Sequence, residues 1–203
     1  MSACHTIDRS RAMLLVIDLQ TRLLPHIDGH DEVIATAGGL IETAGLYRLP
    51  ILATVQYTRG LGPMDEHVAG LLTSAGTTPI EKAAFSVCRD EACRAQARQL
   101  GRDQVIVTGI EAHVCVQQTV LDLLSMGLEP IVCADAVSSR RARDREVALD
   151  RMRQAGAVVT TTEAVLFELC EVSGTPEFKQ MLAVVKRIDE ARARGRQDPA
   201  GVV

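Results

Sequence analysis

The sequence predicts a three-layer αβα sandwich built on a six-stranded parallel sheet. Two observations predict it. Apolar runs that stop at a polar residue alternate along the chain with amphipathic stretches of helical period, as expected of βα units wound around a parallel sheet. The runs are continuous rather than alternating, as strands covered on both faces require. A chain of 203 residues, 47% hydrophobic and 24% charged, suits one domain with a continuous core and a cleft. We place that domain at 10–194, with 1–9 and 195–203 as flexible tails.

The first strand runs from Ala12 to Ile17 and stops at Asp18. A helix follows from Asp31 to Tyr47, with Val33, Ile34, Ala37, Leu40, Ile41 and Ala44 on one stripe. Pro50 interrupts, Ile51 to Gln56 is the second strand, and Gly60, Gly62 and Pro63 mark an irregular loop. A weak third strand from Thr78 to Glu81 ends near Lys82, and the helix from Asp90 to Leu100 is stopped by Gly101. Gln104 to Gly109 is the fourth strand, and Cys115 to Met126 a helix closed by Gly127. Pro130 to Ala134 is the fifth strand, Asp144 to Ala155 a helix, and Ala157 to Thr160 the sixth strand. Thr160-x-x-Glu163 fits a capping box opening a helix to about Cys170. The last helix, from Pro176 to Arg194, carries Phe178, Met181, Leu182, Val185 and Ile188 on one stripe, which suits packing on its own domain more than on a partner.

Several function classes drop out on composition. The net charge is −4 and no Lys/Arg tract is interleaved with aromatics, so there is no electrostatic footprint for nucleic acid. The basic group Arg140, Arg141, Arg143 and Arg145 is diluted by Asp144 and Glu146 and reads as a solvated helix start. No apolar run reaches the roughly 18 residues of a membrane span, and the opening MSACHTIDRSRA is charged where a signal peptide is apolar. A soluble, cytoplasmic protein with no membrane partner is expected. The six cysteines (Cys4, Cys88, Cys93, Cys115, Cys133, Cys170) have no C-x-x-C spacing and read as free thiols, most of them small buried hydrophobes.

In an open parallel sheet, ligands bind outside the carboxyl ends of the strands. That rule selects Asp18, Gln20, Tyr57, Arg59, Lys82, the loop from Gly109 to Cys115 and the loop from Asp135 to Arg140. Three of these form a chemically coherent set. Cys115 at a helix start would have its thiolate favoured by the helix dipole, and Lys82 would favour it further. Asp18 would take the thiol proton. Singly, each has a plainer use: an Asp at a strand end as a turn or cap residue, a lone Lys as a surface charge.

Longer stretches of text carry more information. LLVIDLQTRLLP, IEKAAFSVC, VIVTGIEAHVCVQQTVLDLL and ADAVSSR resemble the motifs of isochorismatase-like cysteine hydrolases. ILATVQYTRGLGP and GIEAHVC are most similar to the isochorismatase-domain-containing branch. The resemblance covers about Leu14 to Phe167. It implies a sheet of order 3-2-1-4-5-6, a catalytic set of Asp18, Lys82 and Cys115, and Thr119 and Asp122 in their usual places. It also implies a non-proline cis peptide between Ile110 and Glu111, with the backbone N–H groups of Glu111 and Cys115 forming an oxyanion hole. Association into a homo-oligomer is a further implication.

Departures from the family narrow the chemistry. The metal ligands of nicotinamidase members are missing from Gln56 to Gly62, and Asp65, Glu66 and His67 read as a solvated turn, so no metal and no other cofactor is expected. His26 and His30 lack the helix that would bring them together. True isochorismatases do not use a cysteine, so Cys115 points to acyl transfer from a small amide, carbamoyl or related carbonyl substrate through a thioester. Gln20, Tyr57, Arg59, Phe85 and His113 are the expected pocket wall. A Rossmann-type enzyme is excluded, because Asp18-Leu19-Gln20-Thr21-Arg22 stands where its glycine-rich turn belongs. The competing class is an oligomeric binding or redox-sensing protein on the same fold, with Cys115 as the sensitive thiol.

Overall fold

The structure is a computed structural model that describes residues 6–197. The chain before Thr6, with Cys4, and the chain after Gln197, both within the expected tails, lie outside the described residues. Six parallel strands form one sheet of order β3-β2-β1-β4-β5-β6, where β1 is Ala12–Ile17, β2 Ile51–Gln56, β3 Ile80–Lys82, β4 Gln104–Ile110, β5 Glu129–Ser138 and β6 Val158–Thr160. The helices are α1 (His30–Leu46), α2 (Thr58–Leu61), α3 (Glu66–Ser74), α4 (Glu91–Leu100), α5 (Gln117–Ser125), α6 (Ala142–Gln154), α7 (Thr162–Cys170) and α8 (Pro176–Gln197). The layered parallel sheet and its strand order are those expected.

Successive residues of a strand point to opposite faces, and β1 divides accordingly. Ala12, Leu14 and Val16 enter the core beneath α1, α7 and α8, while Met13, Leu15 and Ile17 enter the core beneath α4, α5 and α6. Both sides are apolar, which is why the run is continuous. Met181, Val184 and Ile188 of α8 are buried against α1, where Ile188 occupies the space above Gly39, so the last helix packs on its own domain. Phe178 meets Phe167 of α7 edge-on, with centroids 6.5 Å apart.

Several local expectations need correction. The stretch read as an irregular loop contains α2 and then α3, which is capped by Asp65 accepting from the N–H groups of His67 and Val68. Asp65, Glu66 and His67 therefore begin a helix instead of forming a solvated turn, and the His67 ring lies over Gly38 of α1. The seventh helix is capped by Thr161 rather than Thr160, the Thr161 hydroxyl accepting from Ala164 N–H. β5 continues to Ser138, past the expected stop at Ala134, across an irregular register opposite Val107 and Gly109. Ile7, in the expected N-terminal tail, is buried, and its N–H donates to Glu168.

Strand order reverses between β1 and β4, so the loops after these two strands diverge and open a crevice at the carboxyl edge. Gly109 allows the close approach there. Its φ is +122°, and a Cβ at that position would stand 2.0 Å from the Ile17 carbonyl oxygen, a contact no side chain can make.

Candidate active site

Asp18 follows β1 in the left-handed conformation, φ 54°, which Asp tolerates better than most residues. Its backbone N–H still bonds to Thr54 O at 3.1 Å, and its side chain turns into the crevice. Lys82 ends β3, in register with Gln56 of β2. Cys115 lies inside a π-helical turn, Ala112–Val116, that leads directly into α5, so it does not itself start the α-helix as expected. Such turns recur at functional sites. The Ile110–Glu111 peptide is cis.

These three residues, remote in sequence, meet beneath one cavity, where Asp18 and Cys115 form part of its floor and Lys82 lies behind them. Lys82 Nζ is 2.7 Å from Asp18 Oδ2 and 3.6 Å from Cys115 Sγ, and its third bond goes to Gln56 Oε1. An ammonium has three protons, and all three are committed. The pair is shut off from water, with Lys82 and Asp18 each 1% exposed and Cys115 6%. Asp18 Oδ1 accepts from Thr54 Oγ1 at 2.8 Å. The buried ion pair is thus satisfied on both sides, a condition for it to persist in a low-dielectric interior.

Sequence reasoning missed Gln56 as a site residue. Its Nε2 donates to Ala83 O at 2.8 Å, which leaves Oε1 to face Lys82. The available signal was positional: it is the last residue of β2, paired in register with Lys82. Thr119 and Asp122 hold the loop after Lys82 to the helix that follows Cys115. Thr119 Oγ1 donates to Cys115 O at 2.7 Å and accepts from Val87 N–H at 3.0 Å. Asp122 accepts from Ser86 Oγ at 2.7 Å and from the Arg89 guanidinium at 2.8 and 3.0 Å.

The thiol differs from expectation. Burial pushes Cys115 up to about 12, the Asp18 charge adds to this, and Lys82 only partly opposes it. A resting thiolate is therefore disfavoured. The reason is that the Lys82 charge is already matched by the nearer Asp18 carboxylate, so desolvation dominates.

The cavity above this floor measures about 260 Å³. Leu23, Leu61, Phe85, Ile110 and Val114 form apolar walls, and Glu111 and Arg140 close one side. Glu111 Oε2 accepts from both the backbone N–H and Nε of Arg140 at 3.0 Å, joining the loops after β4 and β5. Of the expected pocket residues, Phe85 lines this cavity; the other four are placed elsewhere. Gln20 is buried and its amide is used up on backbone groups: Oε1 accepts from Gln56 N–H at 2.7 Å, and Nε2 donates to Gln56 O at 3.0 Å and Gly62 O at 2.7 Å. Tyr57 is 60% exposed, its ring folded over Gly60. Arg59 is an exposed residue of α2. His113 Nδ1 is 2.9 Å from Ser139 Oγ, behind the loop that carries Cys115. Among the described residues no group of three or more His, Cys, Asp or Glu side chains is arranged to share a metal ion, and no helix is long and apolar enough to cross a membrane.

The isochorismatase domain matches residues 12–164, from the first residue of β1 into α7. The chain belongs to the isochorismatase family. Isochorismatase domain-containing protein 2A of Mus musculus is 37% identical over 179 residues, 86% of this chain and 82% of its own. Among solved structures, the MAR1 ribonuclease of Caenorhabditis elegans is 36% identical with a TM-score of 0.81, covering 89% of this chain and 92% of that one. The YcaC gene product of Escherichia coli, an octameric hydrolase of unknown specificity, shares the fold at a TM-score of 0.85 and 22% identity, covering 97% and 98%. Membership of this family, within the isochorismatase-domain-containing branch, makes a hydrolase fold of the architecture described above.

Proposed function

We propose that the chain is a metal-independent cysteine hydrolase that cleaves a small amide, carbamoyl or related carbonyl compound through a thioester on Cys115. The observation that carries this reading is the position of Lys82 Nζ, bonded at once to Asp18 and to Cys115 beneath an apolar-walled cavity. Because burial favours the protonated thiol, the nucleophile is generated at the moment of attack. Asp18 takes the Cys115 proton as Sγ bonds to the substrate carbonyl carbon. The oxyanion is held by the N–H groups of Glu111 and Cys115. When the tetrahedral centre collapses, the C–N or C–O bond breaks and the leaving group departs with the proton from Asp18. Asp18 then draws a proton from water, hydroxide adds to the thioester, and the carbon–sulfur bond breaks with the proton returned to sulfur. Lys82 holds the Asp18 carboxylate in place by its hydrogen bond and stabilises the transient thiolate.

The lining restricts the substrate to a compact body, largely apolar, with its carbonyl at the floor and a polar group able to face Glu111 and Arg140. RNA cleavage, the activity in the name of the Caenorhabditis elegans neighbour, comes second. Arg140 is the one cation among the residues lining the cavity, and it is already paired with Glu111, which leaves little to draw in a phosphodiester chain. Following the octameric Escherichia coli neighbour, self-association belongs to the proposal, and sedimentation velocity of the full chain tests it, a monomer counting against it.

The decisive experiment incubates wild type and Cys115→Ala with a panel of small amides, carbamoyl compounds and esters and looks for an acyl adduct by mass spectrometry. The expected result is turnover and a transient adduct on Cys115 in wild type and neither in the variant. A silent panel combined with reversible oxidation of Cys115 by peroxide would favour a redox-sensing role instead.

A further inference from the structure

The face of the sheet beneath α4 and α5 holds a second cavity, of about 170 Å³, that the proposed reaction does not use. Its walls are Met13, Leu15, Leu52, Val105, Leu123 and Met126. None of its lining residues is shared with the cavity above Cys115. On the helix side the space is kept open by Cys93, Ala97 and Gly101, which follow one another at four-residue intervals and so share a face. Side chains this short leave the wall opposite them uncovered.

One position further on, Arg94, Arg98 and Arg102 repeat the same spacing and line the same cavity. Among the described residues their guanidinium groups have no hydrogen bond or ion pair. Their neighbours behave differently: Arg9, Arg11, Arg89 and Arg140 each hold a carboxylate. In a chain of net charge −4, three unpaired cations bordering an apolar hole form a local arrangement suited to one kind of molecule.

We propose that this cavity binds a small amphipathic carboxylate, an aryl or short-chain alkyl acid, with its apolar body against Leu15, Leu52 and Val105 and its carboxylate held by Arg94, Arg98 and Arg102. The size fits: an apolar cavity of ~150 Å³ stays dry and takes up a molecule the size of benzene. The charge fits as well, because a guanidinium fork matches a carboxylate in two parallel hydrogen bonds. An unfilled void in a packed core lowers stability, so an occupant that fits raises the melting temperature as its concentration rises. The cavity wall also includes Val87, whose N–H bonds to Thr119 and through it to the Cys115 carbonyl. An occupant therefore touches the scaffold of the nucleophile without touching the nucleophile.

Calorimetric titration of the full chain with benzoate and hexanoate, and with benzyl alcohol and hexanol as uncharged counterparts, tests the assignment. Wild type and Cys115→Ala are expected to bind the acids equally and to melt higher in their presence. The triple variant Arg94→Gln, Arg98→Gln, Arg102→Gln should bind the acids tenfold or more weakly and the alcohols within about twofold of wild type. Ala97→Leu, which fills the cavity, should bind neither; Ala97→Val serves if that variant does not fold. Absence of saturable binding at millimolar acid overturns the proposal, as does binding that survives filling of the cavity or is lost in Arg140→Gln. Dissociation of a dimer by Ala97→Leu in sedimentation velocity would overturn it too, by showing a second copy of the chain on this face.

Discussion

Strand β1 carries charge at both ends and uses it in opposite ways. At its start, Arg11 reaches Asp103 at 2.7 Å and Glu129 at 2.9 Å, tying together the beginnings of β1, β4 and β5 with side chains 31 to 50% exposed. At its finish, Asp18 and Lys82 make a bond of the same length with side chains essentially closed to solvent. Equal distance does not mean equal consequence. The first network sits in high dielectric, where water competes for every partner. The second has replaced its water with protein groups, so each missing partner is felt. The comparison sets the buried end apart, and it is the end at which we place the chemistry.

Breaking the buried end should give the largest effect. Lys82→Ala leaves Asp18 buried without its cation, and is expected to abolish turnover and to lower unfolding free energy by about 3–5 kcal/mol, read by urea denaturation beside the activity assay. A variant that unfolds like wild type would remove the contrast between the two ends of β1. Gln56→Leu comes next. It takes one acceptor from Lys82 and is expected to cost about 1–3 kcal/mol while lowering kcat more than it raises KM, since the apolar walls at Leu23, Leu61, Phe85, Ile110 and Val114 are left in place.

The pH dependence of stability distinguishes the two ends again. Cys115 is raised from an ordinary value near 9 to about 12 by burial, so its protonated form stabilises the fold fully below pH ~9, and this contribution is lost as pH climbs toward 12. Cys115→Ala should therefore flatten the alkaline decline of the melting temperature. At the other end, the Arg11 guanidinium holds Asp103 and Glu129 below the usual carboxylate range. Their contribution is present above that range and lost as pH falls through the lowered values. Arg11→Ala should give the smallest effect: unchanged kcat/KM, a slightly lower melting temperature at neutral pH, and no difference from wild type in acid.

How much of this was legible in the sequence varies with how local the cause is. Strand β2 was read at its observed limits because Pro50 and the polar end at Gln56 bound a run that is apolar except for Thr54. The helix α3 was not read, because it is short and follows Gly60, Gly62 and Pro63, and its informative residue was the cap Asp65. Motif text located Asp18, Lys82 and Cys115, whose convergence then needed only the strand order. The cavity wall was read poorly. Gln20 and Tyr57 occupy the right edge of the sheet, but the first is claimed by backbone amides and the second turns outward from a left-handed backbone. Such side-chain directions depend on tertiary neighbours that no spacing rule sees. The protonation of Cys115 was misjudged for a similar reason, since the sequence names the lysine and the aspartate around the thiol and not the depth of burial that outweighs the lysine.

The closed floor beneath Cys115 also decides what kind of molecule could disable the protein. Reagents chosen for their appetite for thiolates gain little from a sulfur whose burial favours its protonated form, and burial raises Cys93, Cys133 and the half-buried Cys88 in the same way. Selectivity must come from residence. A weak electrophile mounted on a compact apolar body, held by Leu23, Phe85 and Val114 long enough for Asp18 to take the proton, would modify one cysteine of the chain and leave the rest untouched, which makes shape the variable for a chemist to adjust and warhead strength a secondary one.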